Sequence, residues 1–177
     1  MSGDLIVLDG GLGGELIRRG WPSGGLWSAK ALLEQPEIIR SVHDDYINAG
    51  ARVIITNTYS TIPSYLDKSG MGESYLELTE KAGRIARAAA DESESEVKVA
   101  ASIPPLSESY RPDLVPEENL ARPIYEAMAD CLAPFVDVYL CETMSSIQES
   151  KNAVTAIRCA NQGIPCLLYT SDAADED

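Results

Sequence analysis

Two acidic residues stand directly after runs of apolar sequence: Asp9 closes "LIVLD" and Glu142 follows "VDVYLC". Asp9 is followed by Gly10 and Gly11, which lack a Cβ and let the backbone approach a ligand closely. If both apolar runs are strands of one sheet, both carboxylates converge on one mouth. With no basic residue nearby, such a pair suits an ammonium group or a metal ion. Plainer roles stand beside this one. An aspartate before two glycines also makes a tight turn, and Glu142 also reads as a solvated or capping carboxylate beside a helix opening at Ser145 or Ser146.

Other reactive side chains offer less. Cys141 precedes Glu142, and successive strand side chains point to opposite faces, so Cys141 is expected to turn away from any site that Glu142 enters. Cys131, Cys141, Cys159 and Cys166 show no CxxC spacing and read as reduced, packed thiols. His43 is the single histidine and falls inside a helical pattern, so neither a catalytic triad nor a His-rich zinc site can be built. Trp27, in the connection "GWPSGGLWSAK", walls a pocket or packs against the helix beginning near Ser28.

Strands and helices must position these residues. Strand-like runs recur at residues 5–9, 52–57, 97–102, 136–141 and 164–169. Helical patterns lie between them. "QPEIIRSVHDDYINAGA" carries Pro36 at a first-turn position, apolar Ile39, Val42 and Tyr46, and Gly50 as a stop. "SYLELTEKAGRIARAAA" and "PEENLARPIYEAMADCLA" are expected helical, the latter kinked or broken at Pro123. "SSIQESKNAVTAIRCANQG" opens on a serine cap and stops at Gly163. Such alternation implies parallel pairing with right-handed crossovers.

The glycines of "DGGLGGEL" do not fit the G-x-G-x-x-G of a dinucleotide-binding sheet. Polar residues instead mark strand C-termini: Asp9, Thr56 with Asn57, Ser102 and Glu142. An α/β chain of the (β/α)8 TIM-barrel family places its site at that face. A full barrel takes eight strands and about 250 residues. With about five strands, residues 1–169 are expected to form the N-terminal part of a truncated barrel domain, and the acidic tail 170–177 to be foreign to it.

The net charge of −14 disfavours nucleic acid and anionic membrane surfaces. The acidic stretch "DESESE" reads as a solvated segment. The N-terminus "MSGDLIVLDG" lacks the form of a signal peptide, and no apolar run suits a bilayer. A cytoplasmic location is the expectation.

Four blocks, "LDGGLGGEL", "LWSAKALLEQPEIIRSVHDDYINAGARVIITNTYSTIP", "SIPPLSESYRPDL" and "DVYLCETMSSIQESKNAV", together resemble the homocysteine S-methyltransferase family from about residue 4 to residue 168. The resemblance implies that Asp9 and Glu142 hold the amino acid portion of homocysteine. It implies that Gly10, Gly11, Thr56, Asn57 and Thr58 help with its carboxylate and the pocket wall, and that Trp27 lines the pocket. The implied reaction moves a methyl group from S-methylmethionine or S-adenosylmethionine to the homocysteine thiolate, giving methionine. The family's zinc lies on three cysteines in G-x-N-C and Cys-Cys motifs, and zinc makes the substrate thiol a thiolate. This chain has neither motif. Those ligands are expected beyond residue 177, leaving this chain without zinc and inactive by itself. Two readings stay open beside this: a non-catalytic amino-acid-binding protein, and a different barrel enzyme using Glu142 as general base.

Overall fold

The computed structural model describes residues 5–22, 26–161 and 163–168. Tyr169 and the acidic tail 170–177 lie outside the described residues. Four parallel strands form one α/β sheet: β1 (Val53–Ile55), β2 (Lys98–Ile103), β3 (Val138–Cys141) and β4 (Cys166–Leu168). They lie side by side in chain order, without the reversal that defines a doubly wound sheet.

The sequence suggests five strands, and the difference lies at residues 5–9. That run makes a single parallel bridge, Leu8 to Val53. Val7 O accepts from Arg52 N–H at 2.8 Å, and Asp9 N–H donates to Val53 O at 2.9 Å. The next rung departs from the ladder, because the Asp9 side chain takes the Ile55 N–H (Oδ2, 2.8 Å). Regular pairing therefore stops where the carboxylate enters.

Helices α1 (Leu12–Arg18), α2 (Trp27–Glu34) and α3 (Pro36–Asn48) precede β1, and α3 begins at Pro36 as expected. A short α4 (Pro63–Leu66) and a long α5 (Tyr75–Asp91) join β1 to β2. The other crossovers are α6 (Glu118–Leu132) and α7 (Ile147–Ala160). Two of these helices, α1 and α4, were illegible: the glycines of α1 mimic a turn, and α4 is a single turn.

Pro123 neither ends nor divides α6. It lies in the second turn, and the face bearing Ala121, Tyr125, Met128, Ala129 and Leu132 is buried, so packing outweighs the lost backbone hydrogen bond. Ser146 caps α7, its side chain accepting from Glu149 N–H at 3.1 Å.

Strand alternation sorts the sheet into two faces. Ile54, Val99, Ala101, Ile103, Tyr139 and Cys141 belong to the core shared with Tyr125, Met128 and Leu132 of α6. The other face carries Ile55, Ser102 and, one residue past β3, Glu142. Cys141 thus turns into the core while its neighbour Glu142 turns away from it.

A second core joins Leu16, Leu32, Ile39, Val42 and Leu78. His43 of α3 is fully buried, and neither of its ring nitrogens has a hydrogen-bond partner. Burial pushes its imidazole down from 6.5 to about 4. The native state keeps His43 neutral, whereas the unfolded chain takes up a proton below pH 6.5, so stability falls as pH drops from 6.5 towards 4. This group accounts for a loss on the order of 3 kcal/mol across that window. Urea unfolding at pH 7 and pH 4.5 should show a smaller pH-dependent loss in His43→Leu than in the wild type. Equal losses would contradict the burial account.

Candidate functional site

At the C-terminal end of the strands a cavity of about 570 Å³ opens. Asp9, Gly10, Gly11, Trp27, Thr56, Asn57 and Glu142 all line it. Four chain segments distant in sequence therefore meet, three of them strand ends as the sequence pattern implies.

Asp9 is held from one side only. Its Oδ2 accepts from Ile55 N–H, while Oδ1 is buried without a partner. Burial is the main cause that raises its carboxyl to about 7, and the negative charge of Glu142 adds to it. Glu142 is likewise raised by burial, against the opposing pull of Ser102, whose hydroxyl donates to Oε1 at 2.5 Å. No ion pair reaches Asp9 or Glu142 among the described residues. Among the described residues the one basic residue on the cavity wall, Lys68, is engaged with Glu108 at 2.7 Å and lies 4.5 Å from the Tyr65 ring centroid.

The backbone beneath Asp9 is shaped for this. A Cβ at Gly10 would come within 2.8 Å of the Tyr46 hydroxyl oxygen, so a larger residue there would have to displace the end of that ring. Among the described residues three non-glycine positions have positive φ, namely Trp27 (48°), Tyr110 (59°) and Thr143 (57°). Trp27 lines the cavity, Tyr110 follows the lining residue Ser109, and Thr143 follows Glu142. Backbone strain therefore gathers at the rim, as it does where a site over-determines its loops.

The polar residues after β1 are mostly structural. Thr56 Oγ1 accepts from Ser102 N–H at 3.0 Å, and Asn57 donates to Ser28 O at 3.1 Å. Thr58 is fully buried and absent from the cavity lining; its hydroxyl donates to Ser102 O at 2.6 Å. It supports the wall from behind. Trp27 lies across Gly13 and is 59% exposed at the rim.

Several lining residues escaped the sequence reading. Ser60 meets Ser28 Oγ at 3.0 Å and accepts from Ala29 N–H at the start of α2, fixing the loop that carries Trp27. Tyr59 and Ser109 join across the rim at 2.5 Å. Ser102 was legible as a strand-end polar residue, and its place on the Glu142 face is the signal that adds it to the site.

Among the described residues no group of three or more His, Cys, Asp or Glu side chains gathers to hold a metal. Cys141 and Cys166 touch at 3.7 Å, on the core face and away from the cavity. The residues here do not fit a zinc site. The cavity presents two carboxylates, Asp9 and Glu142, to which no ion pair is made among the described residues.

Comparison with known proteins gives the family. A family model for homocysteine S-methyltransferase matches residues 6–174. The homocysteine S-methyltransferase of Escherichia coli (strain K12) is 34% identical over 165 residues, covering 82% of this chain and 52% of that protein. Homocysteine S-methyltransferase YbgG of Bacillus subtilis (strain 168) is 35% identical over 175 residues, covering 87% and 55%. The crystal structure of the homocysteine methyltransferase MmuM from Escherichia coli, in its metallated form, superposes with a TM-score of 0.81 at 29% identity, covering 93% of this chain and 62% of that one. The chain belongs to the homocysteine S-methyltransferase family. It spans about half the length of the curated relatives it matches.

The raised Asp9 carboxyl has a consequence for stability. The native state binds this proton more tightly than the unfolded chain does, so its favourable contribution is complete below pH 3.8 and is lost as pH rises through about 7. Asp9→Asn keeps an acceptor for Ile55 and removes the charge. In thermal melts the gain in Tm of Asp9→Asn over the wild type should grow between pH 4 and pH 8. A gain that shrinks over that range would contradict the raised carboxyl.

Proposed function

We propose that these residues form the homocysteine-binding part of a homocysteine S-methyltransferase built on a (β/α)8 barrel. Strand order without reversal supports the barrel, as does the likeness to MmuM. Exposed apolar residues at both sheet edges, Leu5 to Leu8 and Leu167 with Leu168, suit edges that neighbouring strands cover.

The observation that carries the reading is the pair Asp9 and Glu142, turned into one cavity with no ion pair to either among the described residues. The substrate's ammonium group is the cation that pairs with them. It donates to the free Oδ1 of Asp9 and to Glu142, and its positive charge draws Asp9 into the ionised form. The carboxylate end rests along the backbone of Gly10 and Gly11, and Trp27 covers the apolar side chain. In the reaction proposed, the homocysteine thiolate attacks the methyl carbon of S-methylmethionine or S-adenosylmethionine. The carbon–sulfonium bond breaks, its electron pair stays on the departing sulfur, and methionine results. In a whole enzyme, zinc held by ligands outside the described residues would favour the thiolate form of the substrate. The residues present bind, orient and exclude water, and this chain alone is expected to bind substrate without turning it over. Homocysteine and a methyl donor are the partners, and a cytoplasmic setting suits such substrates. Among the described residues no helix is long and apolar enough to cross a membrane.

Calorimetric titration with L-homocysteine tests this. Asp9→Ala and Glu142→Ala should each weaken binding by about tenfold to a hundredfold, the loss of a charge-assisted hydrogen bond. Wild-type affinity should also fall by about tenfold per pH unit below the Asp9 midpoint near 7. Unchanged affinity in both variants would exclude the assignment.

A further inference from the structure

Glu149 is a buried carboxylate that the cavity does not contain. It lies one turn into α7, is only 2% exposed, and is absent from the cavity lining. A buried acid needs a reason, since burial without partners is costly. Here the partners are backbone. Its Oε2 accepts from Ser145 N–H at 2.7 Å, and its own N–H donates to Ser146 Oγ at 3.1 Å. Burial raises its carboxyl, and the Ser145 backbone opposes that rise. Its pairing with Ser146 resembles a capping box, but the acid reaches Ser145, one residue beyond the N-cap.

These contacts matter because of what the loop after β3 carries. Ser145 ends the short segment that begins at Glu142 and passes through the strained Thr143. Leu106 belongs to the loop after β2 that brings Glu108 and Ser109 to the cavity rim. The Leu106 carbonyl accepts from Ser64 Oγ at 2.6 Å, and Pro104 O accepts from the buried Tyr125 hydroxyl at 3.2 Å. The β2 loop is therefore anchored to α4 and α6 independently of α7. The β3 loop is tied down through Glu149 and the Ser146 cap. Left-handed backbone at a non-glycine residue relaxes unless its surroundings hold it. The fastening at Ser145 stands two residues past that strain.

We propose that Glu149 is a positioning residue: its buried carboxylate clamps the loop after β3 onto the first turn of α7 and so holds Glu142 beside Asp9. Loss of the clamp lets Thr143 relax and Glu142 swing away from Ser102 and Asp9. The consequence for substrate rests on the homocysteine reading given above, whereas the placement of Glu142 does not.

The test is a carboxyl-carbon NMR titration of Asp9 in the unliganded full chain, comparing wild type, Glu142→Gln, Glu149→Ala and Glu149→Gln. Repulsion by Glu142 is one cause of the raised Asp9 midpoint. Glu142→Gln should therefore lower that midpoint, and Glu149→Ala should lower it in the same direction without touching the cavity. Glu149→Gln keeps one acceptor oxygen and should move it less; it also serves if the alanine variant does not fold. An Asp9 midpoint that shifts in Glu142→Gln but stays at the wild-type value in the folded Glu149 variants would overturn the proposal. No shift in Glu142→Gln would overturn it too, because Glu142 would not stand beside Asp9. Homocysteine titration forms a separate arm. Failure of the wild type to bind counts against the proposed function alone, while the midpoints still decide the role of Glu149.

Discussion

The burial of two carboxylates in one space, with no ion pair to either among the described residues, is the constraint around which this end of the molecule is built. Burial favours the protonated form of both, and the charge of Glu142 adds to this at Asp9, so the two hold charge at a cost. The protein meets the cost with single, directed hydrogen bonds, Ile55 N–H to Asp9 and the Ser102 hydroxyl to Glu142. Each leaves capacity to accept more. A site built only for stability would have placed an arginine or lysine between them; the one lysine on the wall is held by Glu108 instead.

The sheet turns that local arrangement into a site. Parallel strands in chain order bring the ends of the first run, β1, β2 and β3 to one level, and alternation sends Ser102 and Glu142 to the same face. Asp9 is part of this scaffold as well as of the site, since its side chain replaces a backbone carbonyl in the ladder to β1. The residue that would bind substrate is also the one that ends regular pairing of its own strand. The strained backbone at Trp27, Tyr110 and Thr143 surrounds the same opening.

Much of this was legible in the sequence, for identifiable reasons. Polar residues at the ends of apolar runs located Asp9, Thr56, Asn57 and Glu142, and alternation sent Cys141 into the core. What was illegible depended on contacts between segments far apart in the chain. Thr58 has the same residue type and setting as Thr56, and only its bond to Ser102 O shows that it stands behind the wall. The Ser28–Ser60 contact spans 32 positions and leaves no local pattern. Helix α1 hid behind glycines that elsewhere signal turns, and Pro123 predicted a break that the buried face of α6 overrides. Glu149 did leave a signal, an acid three residues after a capping serine, but its burial and its reach to Ser145 are tertiary facts.

The central claim is that Asp9 and Glu142 together hold an ammonium group. A crystal structure of the chain grown with L-homocysteine tests it most directly. The account predicts the amino nitrogen within about 3 Å of Asp9 Oδ1 and of a Glu142 carboxylate oxygen. A reversed amino acid, with its carboxylate beside Asp9, would contradict it, as would a metal ion bridging the two carboxylates in place of the ammonium group.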